Sequence, residues 1–193
     1  MLTGYSRHDD YAKLLVAPRS LRPRMMELIQ RETEAPDGYI VIKVNNLVDV
    51  DIIDALYDAS EAGTTVDLIV RSSCCLRPTV KGLSETIRVR SIVGDFLEHS
   101  RIFRFGSADR GFDYLIGSAD LMGRNLDRRV EAVLPVTDAA ARERLQQILD
   151  IELADDQLAW ELDGNDGTWH RVAERAGVHT HDELRRLARE RSA

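Results

Sequence analysis

"YIVIKVNNLVDVDIIDALYDASEAGTTVDLIVR", residues 39–71, decides the fold. Its opening "YIVIKVN" is a short, β-branched, nearly continuous apolar run, the pattern of a strand covered on both faces. Asp49 then precedes a segment in which Ile52, Ile53, Leu56 and Tyr57 share one face at helical spacing, and Gly63 supplies a stop. "TVDLIVR" reads as a second buried strand. Strand, helix and strand in about thirty residues make a βαβ unit, with parallel neighbouring strands and a right-handed crossover. Arg71 therefore falls at the carboxyl end of a strand, where open α/β sheets place their ligands.

Working outward, "RSLRPRMMELIQRETEA" (19–35) carries Leu21, Met25, Leu28 and Ile29 at helical spacing with Ser20 as a cap, which predicts a helix over 21–34. After the loop "SSCCLRPTVKG", four more strands are expected in "IRVRSIV" (87–93), "RIFRF" (101–105), "FDYLIGS" (112–118) and "RRVEAVLPV" (128–136). "TDAAARERLQQILDIEL" (137–153) is an amphipathic helix with Leu145, Ile148 and Leu149 on one side and Asp138 near its start. "LAWELDGNDGTWHRV" (158–172) is a hairpin closed by "GNDG", with Trp160 and Trp169 expected in its core, and "THDELRRLARERS" (180–192) is a charged terminal helix open to fraying. The expected fold is α/β, a sheet flanked by helices in one domain.

The 193 residues suffice for one full hydrophobic core, and 44% hydrophobic with 31% charged residues is the balance of a globular chain. No apolar run approaches the roughly 20 residues needed to span a bilayer, and the N-terminus lacks a signal-peptide pattern, so a cytoplasmic location is expected. Cys74 and Cys75 are adjacent, which suits small packing residues in a loop better than a disulfide or metal framework. A net charge of −7 argues against nucleic acid as partner. The charge is unevenly spread: residues 71–104 hold seven basic and three acidic side chains, whereas residues 138–166 hold nine acidic and two basic ones.

The basic segment contains "FLEHSRIFRF" (96–105). His99, Arg101 and Ser118 belong to neighbouring strand ends; an imidazole can give or take a proton, and an arginine fork matches phosphate oxygens, so the set suits phosphoryl transfer. Asn125, Arg124, Arg128 and Arg129 follow closely, Arg88 and Arg90 alternate on one strand, and Asp127 and Glu131 offer carboxylates to orient His99 or an arginine. His179 and His181, spaced as "HTH", read as a solvated helix cap rather than as metal ligands.

"KVNNLVDVDIIDALYDASEAGTTVDLIVRSSCCLRPTVKGLSETIRVRSIVGDFLEHSRIFRFG" (43–106) and "GSADLMGRNLDRRVEAVLPV" (117–136) closely resemble the C-terminal region of the polyphosphate kinase family. The resemblance implies a phospholipase D-like mixed sheet flanked by helices, in which "HSR" stands where the second HxK element of that fold falls and "GSAD" is the turn that follows. It implies that His99 is catalytic and contacts the transferred phosphate, that Arg71 and His99 bind ATP, and that Arg101, Ser118 and Asn125 support phosphate binding. No metal ligand is implied in this chain; Mg2+ is expected in the complete enzyme, with the preceding half carrying the arginines associated with it and the histidine that becomes phosphorylated.

His8 lacks that histidine's motif, so the chain is expected to be a domain or a short relative without the nucleophile. The implied organisation is a linking segment over 1–20, the phospholipase D-like domain over 21–168 and a variable tail with a helix over 169–193. ATP or ADP, polyphosphate, the preceding half and a further copy of the chain are the implied partners, with membrane association as a complex. Two other readings compete: a phospholipase D-type phosphodiesterase that pairs two copies of His99 in a homodimer, and a non-catalytic polyanion-binding module that uses the basic segment. The chain departs from the family pattern at Ser72, expected to disturb a glycine-dependent backbone angle, and at Leu121 and Gly123, expected on a pocket wall.

Overall fold

A computed structural model describes residues 13–192; His8 lies outside them. Nine strands form one sheet: β1 (Leu15–Val16), β2 (Tyr39–Val44), β3 (Thr65–Val70), β4 (Ile87–Ile92), β5 (Ile102–Ser107), β6 (Gly111–Gly117), β7 (Ala132–Val136), β8 (Ala159–Leu162) and β9 (Trp169–Arg171). They lie in the order β1-β7-β6-β5-β2-β3-β4-β8-β9. The helices are α1 (Leu21–Glu34), α2 (Val50–Glu61), α3 (Ala139–Ala154) and α4 (Thr180–Ser192). β2 pairs parallel with β3, and β3 with β4, through the expected βαβ unit; β5, on the other side of β2, runs antiparallel, which makes the sheet mixed.

The nearly continuous apolar reading of β2 is explained by two cores. Ile40, Ile42 and Val44 face a cluster with Leu21, Met25, Leu28 and Ile29 of α1 and Ile52 and Leu56 of α2, while Val41 faces a second cluster with Leu149 of α3. Truncating one such buried Leu or Ile to Ala costs about 2–5 kcal/mol. Asp49 caps α2 by accepting from the Ile52 amide at 3.2 Å, Asp138 caps α3 from the Ala141 amide at 2.8 Å, and Gly63 ends α2 with φ of 95°. Ser20 stands at the start of α1 without making the capping bond; its hydroxyl exchanges hydrogen bonds with Val16 instead.

The sheet extends beyond the expected 21–168 boundaries. β1 pairs with β7, β9 completes the other edge, and α4 begins with fully buried residues. Residues 124–128, the approach to the expected sixth strand, form a single π-helical turn, so β7 starts only at Ala132. The turn is held by side chains: Asp127 accepts two bonds from Arg22, at 2.9 and 2.7 Å, and Asn125 donates to Glu131 at 2.6 Å.

Candidate phosphate site at the carboxyl end of the central strands

Past Val44 the chain leaves β2 through Asn45 and Asn46, and their backbone holds the neighbouring strand ends in place. The Arg71 amide donates to the Val44 carbonyl at 3.2 Å and the Ser72 amide to the Asn45 carbonyl at 2.8 Å. On the other side Lys43 pairs with Ile102, and Ile102 with Ile116, so the residues before β5 and after β6 emerge at this same end. The register thus gathers Arg71, His99, Arg101 and Ser118 from three strand ends: that of β3, the start of β5 and the end of β6.

Asp120 joins these ends. Its Oδ1 accepts from the Asn45 amide (2.8 Å) and Arg101 Nε (3.2 Å), and its Oδ2 from Asn46 Nδ2 (3.1 Å) and Arg101 Nη2 (3.3 Å). Four donors match the four lone-pair sites of a carboxylate. Burial pushes its pKa up, but the bonds from Arg101, Asn46 and Asn45 outweigh burial and hold the carboxyl below the usual range. Arg101 Nη1 then reaches back to His99, donating to its carbonyl at 2.9 Å and lying 3.0 Å from Nδ1. A guanidinium has no lone pair to offer, so the ring nitrogen that meets Nη1, Nδ1 at 3.0 Å being nearer than Nε2 at 3.5 Å, acts there as the acceptor. Arg101 accordingly orients His99, with Asp120 behind it.

Ser118 and Asn125 both donate to Glu131, Asn125 at 2.6 Å. Glu131 and Asp127 therefore serve a serine, an asparagine and Arg22 rather than His99, and Asp120 is the carboxylate that acts on the histidine through Arg101. Asp120 and Glu131 are engaged by these donors and do not fit a Mg2+ site.

Arg71 stands apart from this chain of bonds. It lines a cavity of about 300 Å³ with Ser72, Ser91, Val93, Trp160 and Trp169, and its Nη1 is buried with no hydrogen-bond partner among the described residues. His99 shares the sheet end with Arg71 but is not among the residues lining that cavity. Trp169 packs partly against the main core, as expected of a hairpin, whereas Trp160 is 37% exposed, and both indoles border the cavity. Ser72 is not among the non-glycine residues with positive φ, so a serine disturbs no special backbone angle there. Leu121 is core, bridged to Leu47, rather than pocket wall. A Cβ on Gly123 meets only ordinary contacts with Asp127 and Asp49.

The residues before His99 are held by a buried ionic cluster that sequence reasoning missed. Lys43, 2% exposed near the carboxyl end of β2, donates to Glu98 and Glu152, each at 2.7 Å. Glu98 also bonds His181 Nε2 at 2.9 Å. His181 is fully buried, not a solvated cap. The signal for this cluster was Lys43 itself: a lysine in a strand covered on both faces requires carboxylate partners.

The basic segment is not a continuous basic face either. Arg104 is buried over the Tyr39 and Phe112 rings, and Arg90 is bonded to the carbonyl at Glu152 and to Glu161. Cys74 and Cys75 are free thiols; burial raises the Cys74 pKa to about 11, which suits a packing role.

The mixed sheet with helices on both faces has a phospholipase D-like α/β fold. The Nuc structure from Salmonella typhimurium, a phospholipase D family member, superposes with a TM-score of 0.56 at 15% identity, covering 82% of this chain and 97% of that one. The chain belongs to the family described as Polyphosphate kinase C-terminal domain 2, whose model matches residues 14–182. A polyphosphate kinase from Thermosynechococcus vestitus is 54% identical over 173 residues, covering 88% of this chain and 23% of that protein. The crystal structure of polyphosphate kinase from Porphyromonas gingivalis superposes with a TM-score of 0.91 at 36% identity, covering 98% of this chain and 30% of that one. The chain thus spans about a quarter of the length of the curated relatives it matches.

Proposed function

We propose that the chain is the C-terminal catalytic domain of a polyphosphate kinase, moving the terminal phosphate of ATP to polyphosphate through a phosphohistidine supplied by the preceding half. The observation that supports this reading is the presence, at one sheet end of a polyphosphate kinase-family chain, of Arg71, whose buried Nη1 has no partner among the described residues, and of His99, held outside the Arg71 cavity by Arg101 and Asp120. Phosphoryl transfer depends mainly on positioning and on stabilising charge. Arg71 supplies a fixed positive fork for phosphate oxygens, and His99 supplies an imidazole that hydrogen-bonds the transferred group or, passing between its protonated and neutral forms, carries a proton. Mg2+ is assigned to the preceding half, and the domain works in the cytoplasm, alone or in a membrane-associated complex.

The engagement of Arg101 with Asp120 argues against the phosphodiesterase reading, in which the equivalent basic group binds phosphate directly. Substituting Arg71→Ala or His99→Ala in the full-length enzyme is expected to abolish ATP-dependent polyphosphate synthesis, measured as acid-insoluble phosphate formed from labelled ATP. Near-normal synthesis by both variants overturns the roles given to these residues.

A further inference from the structure

Between β4 and β5 the chain crosses without regular structure, and His99 sits in this crossing. Among the described residues, no amide or carbonyl from Gly94 to Ser100 makes a backbone–backbone hydrogen bond. The place of the segment is therefore set by side chains. One of them comes from the far end of the sequence: the Phe96 amide donates to His181 Nδ1 at 3.4 Å, and His181 Nε2 lies 2.9 Å from Glu98 Oε1. An amide N–H needs a lone pair, so Nδ1 carries no proton; Nε2 carries it and donates to the carboxylate. A neutral ring in this one tautomer satisfies both bonds. The other oxygen of Glu98 accepts from Lys43 Nζ at 2.7 Å, so the residue immediately before His99 is fixed between β2 and α4. His181 is itself fully buried, and Asp155 anchors its neighbour by accepting from the Thr180 amide at 2.7 Å.

We propose that His181 is a positioning residue for phosphoryl transfer: through Glu98 and the Phe96 amide it sets where the His99 imidazole stands, which makes α4 a working part of the site. This rests on the role given to His99 above and extends it to the C-terminal helix. Arg101 orients the ring of His99, whereas His181 places the backbone from which that ring projects. A misplacement of about 1 Å at a reacting group can cost about 100-fold in rate. His181 is fully buried and touches no substrate, so its loss acts on turnover and leaves ATP binding alone.

His181→Leu fills the buried space and makes neither bond, whereas His181→Gln keeps an N–H donor near the place of Nε2. In the full-length enzyme, His181→Leu is expected to lower kcat for ATP-dependent polyphosphate synthesis roughly 10- to 100-fold with KM for ATP changed less than about twofold. His181→Gln is expected to keep kcat within about threefold of wild type. Circular dichroism matching wild type shows that the variants fold; His181→Asn, which keeps an acceptor near Nδ1 but falls short of Glu98, takes the place of His181→Leu if that variant does not. Wild-type kcat in the variant that loses the Glu98 bond, an effect on KM alone, or equal losses with glutamine overturn the positioning role. His99→Ala assayed alongside separates the two readings: if it abolishes synthesis while His181→Leu matches wild type, only the positioning role falls, and if it leaves synthesis normal, both fall. The tautomer gives a readout that needs no variant. Long-range proton–nitrogen NMR of the 193-residue chain is expected to show the His181 proton on Nε2 at neutral pH, and a proton on Nδ1 refutes the geometry.

Discussion

Lys43 occupies the penultimate position of β2 between Ile42 and Val44, in an apolar strand covered on both faces. Burying an ammonium there is tolerable only because Glu98 and Glu152 reach it from different elements. One cation cannot fully compensate two carboxylates, and the two respond differently. Burial pushes the Glu152 carboxyl up to about 7 against the pull of Lys43. Burial also opposes ionisation of Glu98, but Lys43 and the hydrogen bonds around it outweigh burial and keep that carboxyl below its usual range. A group with a raised folded pKa contributes stability that is complete below its unfolded pKa and lost as pH rises through the folded value. The Tm of the wild type, measured against Glu152→Gln by calorimetry, is therefore expected to fall relative to the variant between about pH 4.5 and 7. A relative rise over that window contradicts the assignment. Arg101 shows the same logic at the site: a guanidinium between an aspartate and an imidazole ties the ring to the carboxylate behind it.

At the scale of elements, α4 is the piece whose role changed most between sequence and structure. Its charged pattern reads as a fraying tail, yet its first residues clamp the loop that leads to His99. The His181 ring lies 5.0 Å from Phe96, and a Cβ on Gly94 would come within 2.8 Å of it, so only glycine lets the loop pass. Arg185 adds an ion pair to Asp95 at 2.9 Å and stacks 4.4 Å over Phe96. The start of α4 is itself tied down by the Asp155–Asp156 pair: Asp155 accepts from the Thr180 amide at 2.7 Å, and Asp156 takes the amides of Arg175, Ala176, Gly177 and Val178. Removing one partner of a buried polar pair costs about 1–3 kcal/mol. His181→Ala is expected to lower stability by that amount and to speed amide exchange in residues 94–98 selectively, read by hydrogen-exchange mass spectrometry. Unchanged protection of that loop refutes the clamp.

At the scale of the molecule, one sheet runs from β1 to β9, and both of its faces are covered by helices. The hairpin of β8 and β9 joins through three cross-strand pairs to β4, and α4 joins through His181 to Glu98, which is bonded to the central strand. The C-terminal quarter is thus part of the same cooperative unit as the βαβ core. A single calorimetric transition is expected for the chain, and an early separate transition that removes only β8, β9 and α4 contradicts it. The same continuity sets the indole-lined cavity beside Arg71, because its lining comes from the carboxyl ends of β3 and β4 and from the β8–β9 hairpin that pairs with β4. No helix among the described residues is long and apolar enough to cross a membrane.

By itself the sequence determined most of the elements and their order, β1 and the turn at 124–128 excepted, because apolar period, caps and glycine stops are local: α1, β2, α2 and β3 could be read from residues 19–71, and Arg71 placed at a strand end. It also carried the family resemblance and, with it, His99. Only the tertiary structure decided which charged groups meet. Lys43 with Glu98 and Glu152, His181 with Glu98, and Asp120 with Arg101 are separated by 19 to 109 residues. No local pattern specifies such a partner; the sheet order brings them together, and the cost of leaving a buried charge unpaired makes the contact obligatory once it has done so.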